Sequence, residues 1–186
     1  MIRYAPFYCE ENIWHLANDR HIQGVAFISN PHRQVACFAQ GRSKTGEVMV
    51  WDYHVIGFTL DAAATTLLVW DFDSTLPNPC PALRYLAATF PALPAKFKDV
   101  TPWFRICTAA QFVATFTSDR RHMRNSNGSW QQPPPVWPCI QIAGQPAHTL
   151  AAFVEMSGTS AAPGTVLNAP TMELALAAMT TLAAMA

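Results

Sequence analysis

The sequence predicts one α/β (α+β) domain over residues 1–186, with a mainly antiparallel central sheet flanked by helices. The strongest β signals are Val48 to Leu60 and Thr65 to Phe72, joined by the short connector Asp61 to Ala64. Both faces of this hairpin are apolar: Ile56, Phe58, Leu67 and Val69 on one, Tyr53, Val55, Leu68 and Trp70 on the other. Such a hairpin belongs in the middle of a sheet covered on both sides. The cover comes from helical periodicity at Ile13, Trp14, Leu16 and Ala17, and from apolar segments at Ala82 to Phe90 and from Thr171 onward.

The first helix opens at Phe7 to Leu16, with Cys9 at its mouth and Glu10 and Glu11 in its first turn, where acidic groups suit the positive helix end. Val25 to Ser29 and Val35 to Ala39 follow as short strands about an Asn30–Arg33 turn, and then Gln40 to Glu47 as a polar loop. After the hairpin, Leu76 to Pro81 is proline-rich, and Pro91 and Pro94 end the Ala82–Phe90 helix. Trp103 to Cys107 reads as a strand and Ala109 to Thr117 as a short helix. Ser118 to Pro138 lacks periodicity, and loops of that length inside compact domains tend to be functional or mobile. Thr171 is placed to cap an alanine- and methionine-rich final helix.

Composition narrows the function. Twelve basic residues balance twelve acidic ones, which argues against a nucleic-acid surface or an anionic membrane as partner. No apolar run approaches the roughly 18–20 residues that span a bilayer, and the first residues lack a secretory apolar core. Five scattered cysteines without a C-x-x-C pair fit a reduced, intracellular protein better than a disulfide scaffold or a zinc site. No metal and no cofactor are expected, and a monomer is.

Cys9 is the candidate nucleophile. Unpaired backbone N–H groups at a helix start favour a thiolate and can hold an oxyanion formed beside it, while the two glutamates oppose ionisation. If Leu60 and Thr65 close the hairpin, His54 lies opposite Asp71 on one face, with Cβ atoms about 4.5–5.5 Å apart. A carboxylate there can fix the imidazole's tautomer. The same register sets Asp52 opposite Asp73. Spacing alone leaves the trio open, because a lone cysteine is more often a small buried hydrophobe. Cys37 and Cys107 lie in strand patterns and read that way, whereas Cys80 and Cys139 lie in proline-rich loops. His15, His21, His32, His122 and His148 occupy surface-like or loop contexts.

Five blocks in order then resemble the protein N-terminal glutamine amidohydrolase family: Y-C-E-E-N-I-W (Tyr8–Trp14), F-I-S-N (Phe27–Asn30), W-D-Y-H-V (Trp51–Val55), W-D-F-D-S-T-L-P-N-P-C (Trp70–Cys80) and S-D-R-R-H-M through P-C-I (Ser118–Ile140). The resemblance implies a fold similar to transglutaminase and papain-like cysteine enzymes, with Cys9, His54 and Asp71 as the catalytic residues. It implies hydrolysis of the side-chain amide of N-terminal glutamine through a thioester, in the cytoplasm and also the nucleus, feeding an N-terminal degradation signal. The partners implied are proteins or peptides with a free N-terminal glutamine. The chain departs from the family pattern in a shorter lead before Cys9, a shorter loop after Asn30 and an alanine-rich end.

A free α-ammonium calls for a carboxylate near the trio, and Asp73, Asp52 and Glu10 are the candidates. Trp51, Trp130 and Trp137 could wall the pocket, with core packing the main reading for Trp51. Two other activities fit the same residues, a transglutaminase-like acyltransferase and a cysteine peptidase. From another class, an inactive scaffold could use its proline-rich loop to bind a partner.

Overall fold

The computed structural model describes residues 2–43 and 46–186, so Lys44 and Thr45 of the expected Gln40–Glu47 loop lie outside the described residues. Helix α1 (Cys9–Asn18) is followed by β1 (Gly24–Ser29), β2 (Val35–Cys37), β3 (Met49–Trp51), β4 (His54–Leu60), β5 (Leu67–Trp70) and β6 (Cys80–Pro81). Then come α2 (Ala82–Thr89), β7 (Trp103–Thr108), α3 (Ala109–Thr115), α4 (Leu150–Val154), β8 (Thr165–Leu167) and α5 (Met172–Met185). Six strands form one sheet in the order β6-β5-β4-β1-β7-β8, every neighbouring pair antiparallel, and β2 and β3 form a separate ribbon.

Strand alternation sorts the side chains into two cores. Ala26, Ile28, Ile56, Phe58, Val69, Phe104 and Ile106 pack with Tyr85 and Leu86 of α2 and with Ala175 and Met179 of α5. Val25, Phe27, Val55 and Cys107 pack the other way, against α1, α3 and α4. On that second face Phe27 meets Phe112, Phe116 and Phe153 at ring-centroid distances of 5.5, 6.1 and 4.8 Å. The expected sheet with helices on both faces is therefore present. Two caps follow from sequence: Thr108 forms a capping box with Gln111 on α3, and Thr171 accepts from the Leu174 amide on α5.

Glycine lets α1 sit close to the sheet. A methyl group at Gly57 would stand 2.7 Å from Ile22 Cδ1 and 3.6 Å from Ile13 Cδ1, so the bare backbone admits this layer. Cys9 is thereby brought down onto β4.

The hairpin register differs from the expected one. Leu60 pairs with Leu67 rather than Thr65, and the ladder runs only as far as Gly57 opposite Trp70. The cause is turn chemistry. Asp61 accepts the Thr65 amide at 2.8 Å, its own amide reaches the Thr66 carbonyl at 2.9 Å, and Ala64 takes a left-handed φ of 54°. Thr65 and Thr66 are thus spent in the turn. The Val48–Leu60 run is also split, with a bend at Asp52 between β3 and β4. The facing Asp52–Asp73 pair is not formed.

Candidate active site

His54 and Asp71 still meet. A slip of two residues keeps every side chain on its face, because the strand repeat is two. Asp71 lies just past the last rung, where the chain curls: its amide donates to Asn78 Oδ1 at 3.1 Å, and its Oδ1 accepts the Asp73 amide at 3.0 Å. His54 Nε2 stands 3.0 Å from Asp71 Oδ2, with both side chains almost wholly buried. The N–H is not aligned for a strong hydrogen bond, as is common in catalytic pairs before substrate binds. Tyr85 Oη donates to the same carboxylate oxygen at 2.8 Å, and Gln40 Nε2 reaches it at 3.4 Å.

The electrostatics of this pair are coherent. Burial pushes His54 toward the neutral form, but the Asp71 carboxylate outweighs it and holds the imidazole above its ordinary value. Burial likewise pushes Asp71 up, and the His54 charge with the Tyr85 hydroxyl brings it below the usual carboxylate range. With Nε2 turned to Asp71, Nδ1 is the ring nitrogen left for the pocket.

Cys9 and His54 line one pocket of about 380 Å³, whose wall also includes Trp51, Asp52, Asp73 and His122. The Cys9 thiol is partly exposed there and lies against the backbone N–H of Val55, the residue next to His54. Burial, and then the charges of Glu10, Asp73 and Asp71, hold the thiol well above its ordinary value. Burial leads and the carboxylates add to it, and the amide of Val55 opposes them without reversing the direction. Tyr8 provides no side-chain cap to α1, leaving its first-turn N–H groups available to an oxyanion.

The other expected site residues are spread around this centre. Asp52 is exposed on the pocket wall, and its side chain accepts the Tyr53 amide at 3.0 Å. Its own carbonyl is pinned by Ser29 Oγ at 2.6 Å. Asp73 is buried on the wall and held by Tyr4 Oη at 2.9 Å; burial raises its pKa. Trp51 is half-buried, lining the pocket while packing on the core. Glu10 has no exposed surface; its carboxylate faces Cys9, Tyr53 and His122. His54, Asp71 and Asp73 place ligand atoms within 4.8 Å of one another, near enough for a metal ion. Asp71 is already saturated by Tyr85, Gln40 and the Asp73 amide, which suits an orienting carboxylate.

One histidine context and two tryptophans are corrected. His15 is buried, taking Arg3 Nη1 on its Nδ1 at 2.6 Å. His122 and His148 lie in connecting segments, as expected, and stack at 5.4 Å on the pocket wall. Trp130 stacks under Arg124 at 3.8 Å. Trp137 turns from the pocket and donates to Glu11 Oε2 at 2.7 Å. In the Ser118–Pro138 segment, His122, Met123, Gln131 and Gln132 line the pocket, and Arg120 anchors the rest. Arg120 meets buried Glu11 with two bonds of 2.8 Å and also donates to the carbonyls of Pro135, Trp137 and Pro138. Sequence reading missed Tyr53, Val55, Tyr85 and His122; Tyr53 and Val55, flanking His54 in W-D-Y-H-V, and His122, in S-D-R-R-H-M, carried a local signal, and Tyr85 did not.

Comparison with known proteins adds a family. A family model described as N-terminal glutamine amidase matches residues 4–176. A protein N-terminal glutamine amidohydrolase from Arabidopsis thaliana is 38% identical over 189 residues, covering 92% of this chain and 85% of that one. The Drosophila melanogaster protein of that name is 35% identical, covering 89% and 83%. The Bos taurus one is 33% identical, covering 82% and 77%.

Removing one member of a buried ion pair strands the other charge at a cost of about 3–5 kcal/mol. Arg120→Ala is therefore expected to destabilise the fold by about that amount, measured by urea unfolding. A loss under about 1 kcal/mol would mean that the pair does not hold the segment.

Proposed function

The chain belongs to the N-terminal glutamine amidase family, and from that membership we propose that it hydrolyses the side-chain carboxamide of N-terminal glutamine to glutamate and ammonia. The observation that carries the reading is Cys9 and His54 on one pocket wall, with His54 backed at 3.0 Å by buried Asp71.

In this reading His54 takes the thiol proton as Sγ attacks the carboxamide carbon. The oxyanion is held by N–H groups at the start of α1, including that of Cys9. His54 then passes the proton to departing ammonia, leaving a thioester, and draws a proton from the water that hydrolyses it. Asp71 keeps Nε2 occupied and stabilises the imidazolium. No cofactor is needed. Asp52 is the carboxylate best placed for the substrate's α-ammonium, since it alone of the three candidates is exposed on the pocket wall. N-terminal asparagine is excluded by reach, its carbonyl falling short of the sulfur.

We also propose that the protein works as a monomer on proteins and peptides in the cytoplasm and nucleus. Its glutamate product would serve an N-terminal degradation signal. No helix among the described residues is long and apolar enough to cross a membrane.

Mass spectrometry of a glutamine-initiated peptide tests the reaction. The wild type is expected to convert amide to acid at the first residue alone, and Cys9→Ala not to. In the same assay Asp52→Asn should raise KM about tenfold or more, the loss of roughly 1.5 kcal/mol or more of a charged contact. Chain cleavage, amine incorporation, or full activity in Cys9→Ala would defeat the proposal.

The pH profile tests Asp71. The active form has lost one proton from the thiol–imidazolium pair, so the acid limb of kcat/KM reports that loss. Because Asp71 raises His54, Asp71→Asn should move the limb to lower pH and cut kcat on the order of 10²–10⁴-fold. A limb that stays put or moves up would remove Asp71 from the mechanism.

A further inference from the structure

Glu10 and Glu11 are consecutive, both fully buried, and treated in opposite ways. Glu11 has the Arg120 guanidinium across both oxygens. Glu10 has no arginine or lysine against it among the described residues. Its Oε2 accepts from Tyr53 Oη at 3.0 Å and from the Cys9 thiol at 3.7 Å, while its Oε1 finds no aligned donor and has His122 Nε2 at 3.4 Å. A buried carboxylate so weakly compensated is costly, and this one sits one residue from the sulfur.

We propose that Glu10 is a positioning residue that holds the resting Cys9 thiol in its protonated form, and that the α-ammonium of an arriving substrate offsets this charge and frees the sulfur to react. The second half rests on the function proposed above. The groups facing Cys9 favour such a device. Glu10 lies on its own helix, Tyr53 and His54 at the head of β4, Asp71 and Asp73 past β5, and His122 in the 118–138 segment. Two arginines line the same pocket, Arg33 and Arg42, and Arg42 is stacked on the Phe7 ring at 3.4 Å. Tyr53, pushed well up by burial and by Glu10, stays a neutral donor. When glutamine binds, its ammonium adds a positive charge to the pocket that Cys9 lines, next to the Glu10 carboxylate that no arginine or lysine meets among the described residues. The S–H bond then breaks, its proton passes to His54, the sulfur–carbon bond forms, and the carbonyl electron pair moves to oxygen. An internal or acetylated glutamine brings no cation and meets a restrained thiol. Selection for the free N-terminus would then appear in turnover as well as in binding.

The test is the pH dependence of Cys9 alkylation by iodoacetamide without substrate, read by peptide mapping. Glu10→Gln keeps the shape and removes the charge. Its alkylation midpoint should fall by about one pH unit, a tenfold faster reaction at neutral pH, while Glu10→Asp stays near wild type. A packing role alone would not move the midpoint, so an unchanged or raised midpoint in folded Glu10→Gln overturns the proposal. Should Glu10→Gln not fold, the wild-type midpoint decides, since a value at or below the ordinary thiol's roughly 8.5 also overturns it. In turnover, Glu10→Gln should lose about tenfold of the kcat preference for a free over an N-acetylated glutamine peptide. Undiminished preference would sever the link to the ammonium. Alkylation uses no glutamine, so its failure is distinct from a failure to deamidate.

Discussion

A buried imidazole 3.0 Å from a buried carboxylate is the interaction on which the rest of this structure turns. Neither group tolerates the interior alone: burial drives the ring toward neutrality and the acid toward protonation. Together, with Tyr85 and Gln40 on the acid, each offsets the other's cost of burial: the carboxylate raises the imidazole and the imidazole lowers the acid. The end of the β5 ladder at Trp70 makes the meeting possible, because only an unladdered chain curls Asp71 back toward His54.

Around that pair the fold assembles the sulfur from another layer. Gly57 lets α1 settle on β4, and the sulfur comes to rest against the Val55 amide. The two glutamates after Cys9 then divide the work. Glu11, through Arg120 and Trp137, ties the long segment to the helix; Glu10 turns its carboxylate to the Cys9 thiol and the Tyr53 hydroxyl.

Much of this was legible in the sequence, for reasons that differ between elements. Helix α1, the central hairpin and the capped α3 and α5 announce themselves through local periodicity and side chains. Cys9, His54 and Asp71 could be singled out because their residue types are few and their blocks resemble a family; the structure pairs His54 with Asp71 and puts Cys9 and His54 on one pocket. The register was misread because Asp61 recruits Thr65 and Thr66 into a turn, an effect decided by one side-chain bond; His54 and Asp71 stay on one face because the slip was even. Helix α4 and strand β8 were missed. Five and three residues are too short to show a period, and Phe153 and Val166 owe their order to partners far along the chain. Glu11–Arg120 and Glu10–His122 join residues more than a hundred positions apart, which no spacing rule reports.

The central claim is that Cys9 attacks and His54 enables it, and covalent trapping addresses both at once. A peptide whose N-terminal glutamine carries a chloromethyl ketone in place of its amide should label Cys9 alone among the five cysteines. His54→Ala should slow that labelling on the order of a hundredfold. Labelling of another cysteine, or equal rates with and without the imidazole, would contradict the account.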